Sequence, residues 1–255
     1  MRVTVCELPH EPRALGSAWD ALCEHTALHA SELVLLPEFA MVEALWQDER
    51  VDAARWEAAA ALSDLWRRRL CELRAPRVVA TRPVTLGGRP FNQGFLWTAP
   101  GDLLPLRRKF FRPEEPGSWE ARWFDRGDAE FAAYAVAGWS FGLNICTELW
   151  ALETYAAYAA RGVQMILAPR ATEARTLAKW LAVGVVAAVR SGAWCLSSNR
   201  VDPTGTFGGG GWIIDPYGEI LARTTWNAPF ATLDLDLAAP AAAREAYPGY
   251  VFAGS

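Results

Sequence analysis

Trp139-Ser140-Phe141-Gly142-Leu143-Asn144-Ile145-Cys146-Thr147-Glu148 is an apolar run that ends on a thiol. Residues 139–145 read as a strand. Residues 149–161 read as a helix, and Gly162 stands where a C′ glycine is expected. A strand running straight into a helix with a cysteine at the corner is a strand-to-helix turn. It lifts the side chain to the sheet edge and leaves backbone N–H groups facing any anion bound there.

The rest of the chain mixes strands and helices in the same way. Residues 2–6 (RVTVC) read as a strand, and Ser17 reads as the N-cap of a helix over about 18–30. Residues 33–36 form a short buried strand, stopped by Pro37, that delivers Glu38. A long helix is expected over 52–73. Strands are expected over 78–86 and 91–97, joined by Gly87-Gly88-Arg89, and then a strand ending near Lys109. Residues 110–130 are irregular, yet Trp119, Trp123 and Phe124 argue against disorder. Further on come strands at 131–136, 164–168 and 193–198, a helix at 174–190, and a hairpin of 207–214 with 219–225 across Asp215-Pro216-Tyr217-Gly218. No repeat or linker divides the sequence, so it reads as a single α/β domain over residues 1–255.

Composition narrows the function. The 255 residues carry 25 Lys+Arg against 29 Asp+Glu, a net charge of −4 that offers no excess positive charge to nucleic acid. No secretory signal opens the sequence. The longest strongly apolar run, 180–189, is half of what a membrane span needs, roughly 20 residues. The three histidines, His10, His25 and His29, all precede residue 30, and no zinc-type spacing of His or Cys occurs. The five cysteines, Cys6, Cys23, Cys71, Cys146 and Cys195, are scattered and odd in number. They read as reduced thiols of a cytoplasmic protein rather than a disulfide framework. Apart from Cys146, they are expected to be mostly buried.

Four residues could form one chemical set. Cys146 is either a buried structural thiol or a nucleophile raised on its turn. Glu38 is either a loop residue or a base able to take the thiol proton. Lys109, in Arg107-Arg108-Lys109, belongs to a solvated basic face or, shielded by Phe110 and Phe111, faces inward. Glu120 could orient that lysine or the substrate. Lys109 and the N–H of Thr147 could together hold an oxyanion.

In this order the segments resemble the carbon–nitrogen hydrolase (nitrilase/amidase) superfamily. Leu35-Leu36-Pro37-Glu38-Phe39 resembles its catalytic-glutamate segment, and Arg107-Arg108-Lys109-Phe110-Phe111 its catalytic-lysine segment. Glu120-Ala121-Arg122-Trp123-Phe124 is similar to its second-glutamate segment, and Gly142 to Glu148 (GLNICTE) to its nucleophile elbow. Glu153, the 162–169 stretch GVQMILAP and the late run from Gly208 to Glu219 also fit. The resemblance covers residues 1 to about 237.

The resemblance implies a four-layer α-β-β-α sandwich, commonly paired as a homodimer or higher homo-oligomer. It implies hydrolysis of a non-peptide C–N bond of a small amide, of amidase or carbamoylase type, through a cysteine thioester, with no metal or organic cofactor. Three alternatives use the same residues differently: a nitrilase forming a thioimidate, an acyl-transferring relative, and a non-catalytic binding relative. The sequence departs from the family where an aromatic and Asp commonly follow the nucleophile and Thr147-Glu148 stand here. It also departs at Ala156, Arg190 and Ser191. Four further residues enter as oxyanion or substrate-binding candidates: Thr147, Glu148, Trp150 and Arg170. Arg170 follows Pro169 at a strand end, where its guanidinium could clamp a substrate carboxylate or simply pair with an acid such as Glu173. Trp119, Trp123 and Trp150 are either walls of an aromatic pocket or core.

Overall fold

Residues 1–252 are described by a computed structural model. In chain order its elements are β1 (Arg2–Pro9), α1 (Pro12–Leu28), β2 (Leu33–Leu35), α2 (Ala53–Arg67), β3 (Arg77–Leu86), β4 (Arg89–Thr98), β5 (Asp102–Arg108), α3 (Glu120–Trp123), β6 (Ala133–Val136), β7 (Trp139–Leu143), α4 (Glu153–Ala160), β8 (Met165–Arg170), α5 (Leu177–Ser191), β9 (Trp194–Val201), β10 (Trp212–Ile214), β11 (Ile220–Arg223), β12 (Phe230–Asp234) and α6 (Ala239–Glu245).

The strands make two sheets joined at one edge. The first runs β12-β1-β2-β3-β4-β5, and the second runs β11-β10-β9-β8-β7-β6. β1 belongs to both. Its first half, Val3 to Val5, pairs with β2 in parallel, while Glu7 to Pro9 pair with Asn199 to Val201 of β9. The two sheets then fold face to face. Strand alternation sorts the side chains into layers. Leu33 and Leu35 of β2 join Val3, Val5, Phe141, Leu143 and Leu167 between the sheets. Val34 and Leu36 turn outward and pack with Trp19 and Leu22 of α1. On the far side Tyr155 and Tyr158 of α4 and Trp180 and Val183 of α5 cover the second sheet. Gly142 permits that contact, since a Cβ there would lie 2.4 Å from the Tyr158 ring. The result is the four-layer α-β-β-α sandwich that the family resemblance implies.

Several boundaries differ from the sequence reading. α1 begins at Pro12 rather than 18, because Glu11 caps it by accepting the Ala14 N–H and Pro12 fits its first turn. α2 ends at Arg67, and Leu70–Leu73 form a separate 3-10 turn. The helix expected from 149 starts at Glu153, because the chain first makes a 3-10 turn over Cys146–Trp150. β12 and α6 had no strong pattern and were not anticipated. Cys6 and Cys195 are buried, but Cys23 is half-buried and Cys71 exposed, which corrects the expectation of mostly buried thiols. Among the described residues no helix is long and apolar enough to cross a membrane.

Candidate active site

Three chain turns deliver Glu38, Lys109 and Cys146 to one end of the sandwich. Past β2, Leu36 still donates to Val79 O, and then Pro37 ends the ladder. Glu38 donates its N–H to Arg170 O at 3.1 Å, and Phe39, at φ +47°, donates to Thr81 Oγ1 at 2.8 Å. Arg200 grips the far side of this turn through Phe39 O and Val42 O. Lys109 follows β5 directly and stays in register by donating its N–H to Asn92 O at 2.8 Å. Cys146 follows β7 at φ +52°, a left-handed conformation that is uncommon for a side-chain-bearing residue and concentrates at functional sites.

The side chains converge on one ammonium. Lys109 Nζ lies 2.8 Å from Glu38 Oε1. It lies 2.8 and 2.7 Å from the two Glu120 oxygens, of which only Oε1 has hydrogen-bond geometry. Asn92 Nδ2 donates to the same Glu38 Oε1 at 2.8 Å. Glu38 Oε2 is buried and has no partner. Lys109, Glu38 and Glu120 are almost wholly out of water. The chain brings them together with Cys146 from positions more than a hundred residues apart.

Electrostatics follow from that burial. Desolvation disfavours the Lys109 ammonium, but Glu120, Glu38 and Cys146 outweigh it and hold the ammonium protonated well above the usual lysine range. Burial pushes Glu120 up to about 8, with Lys109 opposing and Glu38 reinforcing the rise. Burial, with the Glu38 charge, pushes the Cys146 thiol up, while Lys109 and a backbone hydrogen bond from Ala171 pull it down.

A cleft of about 350 Å³ opens against Glu120 and Cys146, with Glu38 and Lys109 outside its lining. Glu120, Cys146, Thr147 and Trp150 line it, with Trp46, Trp180 and Phe207 as further aromatic walls and Glu115, Glu173 and Arg175 among its polar lining. Trp150 is 46% exposed and faces the Trp180 ring at 5.5 Å. The N–H groups of Cys146 and Thr147 open a 3-10 turn, where no partner exists within the helix. Trp123 is core instead, donating to Asp48 O, and Trp119 stacks under Arg122 outside the cleft.

Two expected cleft residues lie elsewhere. Arg170 is fully buried. It donates to Ser197 Oγ, Thr172 Oγ1 and Gly210 O and lies over the Trp212 ring at 4.0 Å. Its guanidinium is turned into the second sheet because those acceptors satisfy it there, so it is not a clamp reaching into the cleft. Glu148 is also fully buried and outside the lining, accepting hydrogen bonds from Arg107, Phe110 and Ile145. Asn92 and Arg200 escaped the sequence reading. A polar Asn92-Gln93 pair interrupting an apolar strand was the available signal for the first.

A buried Glu–Lys–Glu cluster thus lies beside a cysteine elbow on an α-β-β-α sandwich. The chain belongs to the carbon–nitrogen hydrolase family, whose model matches residues 2–245. It is similar to an N-carbamoylputrescine amidase of Oryza sativa subsp. japonica, 28% identical over 148 residues. That match spans 51% of this chain and only 49% of the relative. Its fold is similar to a carbon–nitrogen hydrolase from Helicobacter pylori at TM-score 0.86 and 19% identity, covering 98% of this chain and 94% of that one. It is also similar to an amidase variant from Nesterenkonia sp. bearing the acetamide moiety of fluoroacetamide on its active-site cysteine, at TM-score 0.78 and 20% identity, covering 100% and 97%.

Proposed function

We propose that the protein hydrolyses a small amide, of amidase or carbamoylase type, through a thioester on Cys146. The observation that carries this reading is the placement of Cys146 on a strained turn at the cleft, against a buried cluster whose Glu38 Oε2 has no partner. Because burial raises the thiol, a standing thiolate is disfavoured. The proton therefore passes to Glu38 as sulfur attacks the carbonyl carbon. Lys109 has three N–H donors, of which two face Glu38 and Glu120. The third and the Thr147 N–H hold the oxyanion. The tetrahedral intermediate collapses as Glu38 returns the proton to the leaving nitrogen, giving ammonia or an amine and the thioester. Glu38 then takes a proton from water, hydroxide adds to the thioester carbon, and a carboxylic acid (a carbamic acid for a carbamoyl substrate) leaves as the thiol is restored. Glu120 keeps the ammonium aimed.

The aromatic cleft supports a small organic substrate. Leu152 and Val186, exposed on the α4–α5 side, support pairing with a second copy there. The five free cysteines support a reducing, cytoplasmic setting. The test is a panel of matched amides, N-carbamoyl amines and nitriles, with ammonia and acid measured as products. Amide or carbamoyl turnover that vanishes in Cys146→Ala is expected. Turnover of nitriles alone, or full activity in Cys146→Ala, would overturn the reading.

A further inference from the structure

We infer that Glu148 is a positioning residue that sets the separation between Lys109 and Cys146. This inference rests on the mechanism proposed above and adds a residue to it.

The two residues arrive on different sheets. Lys109 extends β5, the last strand of the first sheet, and Cys146 follows β7, near the edge of the second. Among the described residues the sheets are continuous only through β1, away from both of these strands in the strand order. Away from β1 the two edges are tied by side chains, among them Tyr134 of β6, whose hydroxyl accepts the Arg107 N–H of β5 at 2.7 Å. The Glu148 carboxylate lies between them, fully buried. Oε1 accepts the N–H of Phe110, the residue after Lys109, at 2.6 Å. Oε2 accepts the N–H of Ile145, the residue before Cys146, at 2.9 Å. One carboxylate thus holds the neighbour of each reacting residue.

A local cap of the 3-10 turn would need only the Ile145 bond. The Phe110 bond spans 38 positions of sequence and does nothing for that turn. Arg107 completes the arrangement. It is itself buried, donates to Glu148 Oε2 and to Asp128 O, and lies 3.8 Å from the centre of the Phe131 ring. Its guanidinium pairs with the buried carboxylate, so neither group is left without a partner out of water. Asn144 Nδ2 binds Glu148 O at 2.9 Å and fixes the backbone beneath.

The chemistry of the pair makes a sharp substitution available. Every neighbour of the carboxylate is a donor. Glutamine keeps the shape but offers one acceptor oxygen, so in either orientation its NH₂ meets Ile145 and Arg107 or Phe110, all of them donors. The gap between Lys109 and the sulfur then relaxes. A displacement near 1 Å costs on the order of 100-fold in rate.

The experiment compares wild type, Glu148→Gln, Arg107→Lys and Cys146→Ala. The readouts are kcat, KM, Tm and the rate of Cys146 alkylation by iodoacetamide, followed by peptide mass. Glu148→Gln is expected to lower kcat by about 10- to 100-fold, with KM within about threefold and slower alkylation per folded molecule. Arg107→Lys keeps the charge but loses the fork, and is expected to shift both in the same direction by less. If Glu148→Gln does not fold, Arg107→Lys decides. Folded variants with wild-type kcat and alkylation rate would overturn the inference, as would a fall in Tm with no change in either. Activity surviving in Cys146→Ala would instead break the mechanism on which it rests.

Discussion

Lys109 and Arg107 stand two residues apart on one strand end, each a cation buried against glutamate, yet their surroundings differ. Around Arg107 the hydrogen bonding is close to complete. Glu148 uses both oxygens, and the guanidinium also donates to Asp128 O and Glu130 O. Around Lys109 there is spare capacity: Glu38 Oε2 and Asn92 Oδ1 are buried with no partner. Buried polar groups are normally satisfied, and the exceptions call for a reason. The saturated pair is built to hold still. In the proposed mechanism the unsaturated cluster keeps an acceptor and an N–H in reserve for atoms that arrive with substrate.

Removing the cation of the open cluster should have the largest effect. Lys109→Met leaves Glu38 and Glu120 facing each other unpaired. Loss of measurable turnover is expected, with a stability cost of about 3–5 kcal/mol, read by denaturant titration. A Lys109→Met enzyme of normal stability would erase the distinction between the clusters. Next is Glu38→Gln, which keeps the bond to Lys109 but cannot take a proton. Steady-state kinetics should show kcat lower by about 10²- to 10⁴-fold, and Tm should change little. An unchanged kcat would mean the unpartnered oxygen has no chemical task.

The third effect is on pH. Burial raises Glu120 from 4.5 to about 8, so the folded protein holds this proton more tightly than the unfolded chain. The resulting stability is fully present below 4.5 and is lost as pH rises through about 8. Tm measured from pH 5 to 9 should fall over this window, and the fall should flatten in Glu120→Gln. The raised lysine contributes in full across this window, because its share is lost only above its ordinary 10.5, and so it adds no slope here. An equal slope in both proteins would place the titration elsewhere. The smallest effect is expected at Trp150, which lies outside both clusters. Trp150→Ala should raise KM about fivefold by removing cleft wall worth about 1 kcal/mol, leaving kcat near wild type. A kcat loss as large as that of Glu38→Gln would put Trp150 in the chemistry.

How much of this was legible in the sequence divides along the same line. Glu38, Lys109, Glu120 and Cys146 each follow a local mark that was ambiguous alone and gained meaning from the ordered family resemblance: Pro37 after an apolar strand, a basic run before two phenylalanines, an aromatic-rich loop, an apolar run ending in a thiol. The partners of the quiet cluster carry no such mark. Arg107 looks like the surface-facing neighbour of Lys109, and Glu148 like a cleft acid, because only the folded sheets bring Phe110 and Ile145 to one carboxylate. Arg170 misled for the same reason. Its strand-end position suggested the cleft, but Ser197, Thr172 and the Gly210 carbonyl, distant in sequence, turn it inward. The mixture of strands and helices was legible in local patterns and the four layers only through the family resemblance, whereas the start of α1 depended on a Glu11-Pro12 cap weaker than the Ser17 signal. β12 is held by pairing with β1 across more than 220 positions, which no local pattern reports.

The central claim is that Cys146 carries the acyl group. The direct measurement is acid quenching during turnover of an active amide, followed by peptide mass spectrometry of all five cysteines. The account predicts an added mass equal to the substrate's acyl half on the Cys146 peptide alone, absent from Cys146→Ala. Turnover with no adduct at Cys146 under conditions that trap thioesters, or an adduct on Cys6, Cys23, Cys71 or Cys195 instead, would contradict it.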